Sequence, residues 1–241
     1  MSQQTKIKPI EIISVLHLAR AARKQGKNFN PLFSGDAGVG KSELGQHFQK
    51  VIQQTENKDF GLFDLRLAYL EAPDVVGLPR VCSETHRTTH VLPEFWPTKG
   101  EGILMLEEPN RANSSVMNTI MQLLTDRKVH NYTLPEGWII AGFVNPENNS
   151  YDVNTMDLAL RDRFACYNVG YDHKSFLDFV KKANWNPTLI AFIQSGLWVF
   201  KSADEIGAEG HYISPCNRWK TFFSLECQRD TWCNPCFITS I

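Results

Sequence analysis

Apolar residues recur along this chain in two rhythms. Over residues 9–24 (PIEIISVLHLARAARK), Ile12, Val15, Leu16 and Ala19 fall at helical spacing. That spacing predicts an amphipathic helix, ended by Gly26. Val116, Ile120, Leu123 and Leu124 repeat the pattern within residues 112–127, and residues 43–54 and 155–161 also read as helices. Between them lie short apolar runs at residues 30–34, 61–67 (GLFDLRL), 102–106 (GILML), 138–144 (WIIAGFV) and 165–169. Runs of this length, bounded by polar residues, Gly or Pro, predict buried strands. Strands that alternate with helices predict an α/β fold with a parallel sheet and helices on both faces. Ligands of such sheets bind at the carboxyl ends of the strands.

Other stretches break both rhythms. Residues 71–97 carry four prolines and read as an irregular segment. Asp74-Val75-Val76-Gly77 matches the D-x-x-G of GTPases, but it follows Ala72-Pro73 rather than a strand, and no N-K-x-D motif follows it. His86 and His90 lie where no helix would bring them together as metal ligands. Residues 128–138 (KVHNYTLPEGW) read as a hairpin with Pro135-Glu136-Gly137 as its turn. Composition changes from Asp172 onward. Helices are expected at 173–182, 187–200 and 215–227, with a polar connection at 202–210. The expected division is an α/β domain over residues 1–170 and a small helical region over 171–241.

Composition narrows the class without naming it. The 241 residues are 42% hydrophobic with 15 Phe, enough to build a core. The net charge of −1 offers no global field to draw the chain to nucleic acid. No apolar run approaches the ~18 residues that span a membrane, and residues 1–9 lack the apolar segment of a signal peptide. The expectation is a cytoplasmic protein. Of six Cys, four (Cys216, Cys227, Cys233 and Cys236) fall in the last 26 residues. Their spacing departs from the paired C-x-x-C of zinc ribbons, so reduced thiols are the expectation.

The sharpest chemistry lies between the first apolar run and the helix after it. Gly35-Asp36-Ala37-Gly38-Val39-Gly40-Lys41-Ser42 reads G-x-x-x-x-G-K-S, a phosphate-binding loop. Chance supplies such a match in roughly one per cent of chains this long. Backbone N–H groups at a helix N-terminus would cradle a triphosphate, where the helix dipole favours negative charge. Lys41 would reach the β- and γ-phosphates, and the Ser42 hydroxyl would hold Mg²⁺. The GILML run then ends in Glu107-Glu108. One acid would serve the Mg²⁺ shell and the next would polarise an attacking water. WIIAGFV ends at Asn145-Pro146, where an amide would orient that water or cap the turn. Gly35, Glu107 and Asn145 thus all fall at predicted strand ends.

The order of these motifs resembles the AAA+ ATPases, specifically their MoxR-like, dynein-related branch of bacteria and phages. The likeness covers residues 30–171 and includes EAPDVVGLPR, GEGILMLEEPNRANSSVMNTIMQLLTDRKVHNYTLPEGWIIAGFVNPENN and LALRDRF. It implies that residues 35–42 are Walker A, Glu107 and Glu108 Walker B, and Asn145 sensor 1. Arg163 matches the arginine finger that acts on a neighbouring subunit's γ-phosphate, with Arg161 as a rival. A ring, usually a hexamer assembled with ATP, follows from a finger acting in trans. Insertions near 71–97 and 128–138 would engage a protein substrate or line the pore. Three features depart from the family pattern. Glu107 stands where Asp is usual. Arg218 lies displaced after Ser214-Pro215 as a candidate sensor 2 contact to the nucleotide. The lid is short and Cys-rich, either truncated or completed by a partner.

The expected function is ATP hydrolysis with Mg²⁺, coupled to remodelling an unidentified protein partner. A nucleotide-gated assembly module with little turnover is the first rival. A nucleic-acid motor is the second, set back by the neutral charge and the lack of a basic, aromatic groove. A P-loop kinase comes last, because it would leave Asn145 and Arg163 without roles.

Overall fold

A computed structural model describes residues 5–56, 59–84, 86–146, 156, 158–182 and 186–195. In chain order the elements are β1 (Thr5–Ile7), α1 (Glu11–Lys24), β2 (Pro31–Ser34), α2 (Lys41–Glu56), β3 (Phe60–Arg66), α3 (Ala72–Val76), β4 (Leu78–Val81) and β5 (Thr88–Val91). They continue with β6 (Glu101–Glu107), α4 (Ser114–Asp126), β7 (Lys128–Val129), β8 (Tyr132–Thr133), β9 (Gly137–Val144), α5 (Leu158–Arg161), β10 (Ala165–Val169), α6 (His173–Lys182) and α7 (Pro187–Gln194).

Six strands form one sheet in the order β1-β10-β2-β9-β6-β3, and every pairing in it is parallel. Alternation along β6 shows why a continuous apolar run was needed. Ile103 and Met105 join Ile12, Leu16, Phe48 and Ile52 of α1 and α2 on one face. Leu104 and Leu106 join Val116, Ile120, Leu123 and Leu124 of α4 on the other. A strand covered on both faces has no position left for a polar side chain until it reaches its end. Gly61, Gly102 and Trp138 stand side by side across three strands. A Cβ on either glycine would come within 2.6 Å of the indole, so the two glycines make the flat bed on which Trp138 lies.

A buried ion cluster ties the opposite end of the sheet to the helices. Arg20 of α1 is 5% exposed. Its guanidinium donates to both carboxylate oxygens of Glu56, at 2.9 Å for Nη2, and to Glu101 at 2.8 Å. It also lies over the Phe60 ring.

Among the described residues the expected strands and helices are present, and three segments differ from expectation. The polar stretch Thr5–Ile7 is an edge strand, paired to β10 from Thr5↔Tyr167 to Ile7↔Val169. An edge strand tolerates the polarity that hid it. Residues 71–97 are not irregular throughout. They form α3 and the antiparallel β4–β5 hairpin. Asp74 of the D-x-x-G sequence takes a hydrogen bond from the Glu71 N–H at 2.8 Å, capping α3. Gly77, at φ +86°, ends that helix. The hairpin within 128–138 turns at His130-Asn131, between β7 and β8, with His130 at φ +49°. Pro135 instead starts a separate turn into β9, its carbonyl accepting from the Trp138 N–H at 3.1 Å. The two hairpins meet, with the His90 and His130 rings stacked 4.5 Å apart. Trp96 and Tyr132 pack 5.0 Å apart beneath them.

No helix among the described residues is long and apolar enough to cross a membrane. The expectations for residues 196–241, including Arg218, the helix at 215–227 and the four carboxyl-terminal cysteines, lie outside the described residues.

Candidate functional site

Because the strands of the main sheet are parallel, the carboxyl ends of β2, β6 and β9 point the same way. Residues 35–40 leave the tip of β2 and run into the N-terminus of α2. Gly35 must be glycine, since a Cβ there would lie 2.5 Å from the Val169 carbonyl oxygen. Gly38 and Gly40 hold φ of +79° and +89°, the left-handed region open to residues without a Cβ. Val39 is buried in the α1–α2 face of the core and anchors the loop.

Lys41 is 7% exposed. Its ammonium donates to the carbonyls of Gly35 and Asp36, the latter at 2.9 Å, and to Oδ1 of Asn145 at 3.4 Å. Burial drives its pKa down to about 8, against the opposing pull of Glu107, Asp36 and Glu108. A buried cation held by loop carbonyls is poised to exchange them for the stronger acceptors of a phosphate. The side chains of Lys41 and Asn145, separated by 104 positions, thus meet at the tip of the sheet.

Glu107 closes β6 beside the loop. Burial pushes its carboxyl up to about 7, while a hydrogen bond from the Ser42 hydroxyl works the other way. Asp64 of β3 raises it further, and Lys41 and Arg66 lower it. Oε1 of Glu107 is buried without a partner among the described residues. Mg²⁺ takes oxygen donors and keeps several waters. The Ser42 hydroxyl and the open Glu107 oxygen therefore fit that ion.

Glu108 stands in the left-handed region at φ 52°, ψ 46°. A residue with a Cβ pays roughly 1–2 kcal/mol for that conformation. The Glu108 N–H donates to the Phe143 carbonyl at 2.9 Å, and its carboxylate pairs with Arg111 at 3.3 Å. That pair is well exposed at Arg111, so it is worth at most about 1 kcal/mol and yields easily to a water or a phosphate.

Arg163 stands apart from this group. It follows α5 and precedes β10, at the amino-terminal edge of the sheet. Its guanidinium donates to Thr125 Oγ1 at 2.7 Å and to the Ala159 carbonyl. Arg161 closes α5 close by, its carbonyl accepting from the Phe164 N–H. The Arg163 guanidinium is thus held at Thr125 and Ala159, away from the loop at residues 35–40 of its own chain.

Two residues of the site escaped the sequence reading. Asp64 is half-buried, with Oδ1 unpartnered among the described residues; its signal was an acid interrupting the apolar FGLFDLR run. Asn110 is 5% exposed, and its Nδ2 donates to the Asn145 carbonyl at 3.2 Å. Its signal was a position two residues after Glu108.

The glycine-rich loop after β2, the acidic pair that ends β6, Asn145 at the end of β9 between those two strands, and the helices on both faces define a P-loop NTPase domain of the AAA+ fold. A family model for the AAA domain (dynein-related subfamily) matches residues 30–164, more than half of the chain. The chain belongs to that family. It is similar in structure to closed-state Hsp104 solved with ATPγS and FITC-casein, at 16% identity and a TM-score of 0.57, covering 92% of this chain and 45% of that one. It is also similar to a presumed ATPase from Cytophaga hutchinsonii, at 13% identity and a TM-score of 0.51, covering 78% and 60%. A point mutant of Thermotoga maritima RuvB follows at 17% identity and a TM-score of 0.49, covering 73% and 51%. The chain thus spans 45–60% of the length of these structures. No curated protein matches it.

Proposed function

We propose that this chain binds ATP with Mg²⁺ and hydrolyses it, working in a ring on a protein partner. The observation that carries the reading is the buried Lys41 ammonium. It is held between the loop carbonyls and Asn145, with the acids of β6 contributing to its field.

The chemistry follows from what each side chain can do. Backbone N–H groups of the loop and the first turn of α2 hold the phosphates. Lys41 passes from carbonyls to phosphate oxygens. Ser42 and Glu107 would hold Mg²⁺, which when bound offsets phosphate charge. Asn145 orients the attacking water, and Glu108 takes its proton as the water oxygen bonds to the γ-phosphorus. The bond from that phosphorus to the bridging β-phosphate oxygen then breaks, releasing ADP and phosphate. Arg163, at the far edge of the sheet, is suited to a neighbour's γ-phosphate rather than its own. That placement supports a ring, with a hexamer as the expected size. The EAPDVVGLPR and EEPNRAN stretches support the MoxR-like branch, of bacterial or phage origin. The two touching hairpins are the surfaces we assign to the protein partner, and we place the work in the cytoplasm, the host's if the chain is phage-borne.

Steady-state phosphate release tests this directly. Wild type should turn over ATP with Mg²⁺. Lys41→Ala should lose both binding and turnover, and Glu108→Gln should bind ATP without hydrolysing it. Wild-type turnover no greater than that of the two variants would overturn the reading. The rival reading, a nucleotide-gated module with little turnover, is favoured by one observation: Glu107 holds its proton up to about pH 7, which weakens its grip on a cation. It requires ATP-dependent assembly without phosphate release.

A further inference from the structure

The turn that follows the acidic pair carries a side chain that the mechanism above leaves unused. Asn110 lies in the middle of the 3-10 turn Pro109–Arg111 and is 5% exposed. Nδ2 donates to the Asn145 carbonyl at 3.2 Å, while Oδ1 is buried without a partner among the described residues. A typical hydrogen bond adds little net stability, and a buried orphan acceptor removes at least as much. Asn110 is therefore a poor choice for stability alone.

Its geometry gives it a different use. The acidic turn is fastened to the end of β9 by the Glu108 N–H, which donates to the Phe143 carbonyl at 2.9 Å. One such bond fixes a distance and leaves the turn free to pivot about it. The Asn110 bond to Asn145, two residues further along the same strand end, is a second point of attachment and removes that pivot. Asn145 also takes the Lys41 ammonium on Oδ1 at 3.4 Å. Base, sensor amide and phosphate-loop lysine are thereby held in one frame, with Asn110 as the clamp between the first two.

We propose that Asn110 is a positioning residue, setting the separation of Glu108 and Asn145 so that both meet the same water. This rests on the hydrolytic reading of the site. It predicts a loss confined to the chemical step, because the phosphate-holding groups stay in place.

The test compares wild type, Asn110→Ala and Asn110→Asp in three measurements: phosphate release against ATP concentration, equilibrium ATP binding and thermal midpoint. Both variants should lose about tenfold or more in kcat, the scale expected when a reacting group is misplaced by a fraction of an ångström to 1 Å. KM and the ATP Kd should stay within about twofold, since the binding groups are untouched. The Asn110→Ala midpoint should stay within roughly 2–4 °C of wild type, the shift of about 1 kcal/mol in a chain this size, whereas Asn110→Asp buries a carboxylate and should melt lower. Asn110→Asp keeps the shape but sets a carboxylate against the Asn145 carbonyl, so its kcat should fall furthest. Wild-type kcat in both variants would overturn the proposal and leave the hydrolytic reading standing. In Asn110→Ala, a loss that tracks ATP affinity or the midpoint would also overturn it, making Asn110 a structural residue. An inert wild type would overturn the hydrolytic reading and this proposal together.

Discussion

Lys41→Met should make the nucleotide-free protein more stable while destroying its ability to bind nucleotide. The magnitude follows from burial. Lys41 is 7% exposed, and its pKa falls from 10.5 to about 8, with desolvation as the largest cause. Each pKa unit is 1.36 kcal/mol, so keeping the buried ammonium charged costs about 3 kcal/mol. The sign follows from proton counts. Between pH 8 and 10.5 the unfolded chain binds more protons at this lysine than the folded one, so stability rises with pH across that window. Below pH 8 both states are protonated and the full penalty applies. Met keeps the volume and removes the charge. It also forfeits the three hydrogen bonds to Gly35, Asp36 and Asn145; at about 0.5 kcal/mol each, the low end for such bonds, the net gain at pH 7 is about 1–2 kcal/mol. For a chain of this size that is an increase of roughly 2–8 °C in Tm. Thermal melts of wild type and variant at pH 7 and pH 10, with and without ATP and Mg²⁺, measure it. The variant's advantage should shrink at pH 10, and ATP should stabilise wild type alone. A variant less stable than wild type at pH 7, or one that ATP still stabilises, would refute the reasoning.

Two further outcomes follow from the same structure. Glu107 keeps its proton up to about pH 7, and a cation must displace that proton. Mg²⁺-dependent ATP binding, followed by calorimetry, should therefore be about tenfold weaker at pH 6 than at pH 8, with Glu107→Gln flattening the dependence. Arg20→Ala should leave Glu56 and Glu101 facing each other at the base of the sheet without their shared cation. Urea unfolding should show a loss of about 3 kcal/mol, at the low end for a broken buried pair because both carboxylates are about one-third exposed.

What could be read beforehand, and what could not, divides along physical lines. The runs that became β6 and β9 were legible because strands buried on both faces must be apolar throughout. Acids or an amide directly after such runs then had to lie at the sheet tip. β1 gave no such signal, because Thr5–Ile7 is held by backbone pairing to β10 at an exposed edge. The hairpin turn was misplaced because Pro135 and Gly137 are strong turn formers, and they do make a turn. The reversal nonetheless falls at His130-Asn131, where packing of Tyr132 against Trp96 decides the register. Asn110 and Asp64 were passed over because nothing in their local spacing announces burial. Only the arrival of β9 beside the acidic turn gives Asn110 its partner, and only the pairing of β6 with β3 brings Asp64 near Glu107. Arg163 was legible as a residue type in a motif. Its direction, away from its own phosphate loop, needed the sheet.

The most direct measurement is phosphate release from ATP by wild type, Glu108→Gln, Arg163→Ala and an equal mixture of the two variants. The account predicts an active wild type and two inactive variants that still bind ATP. The mixture should recover part of the activity, because Arg163→Ala supplies an intact acidic site and Glu108→Gln an intact arginine for its neighbour. A wild type no faster than Glu108→Gln would contradict hydrolysis at this site, and a mixture as inactive as its parts would contradict the role of Arg163 across subunits.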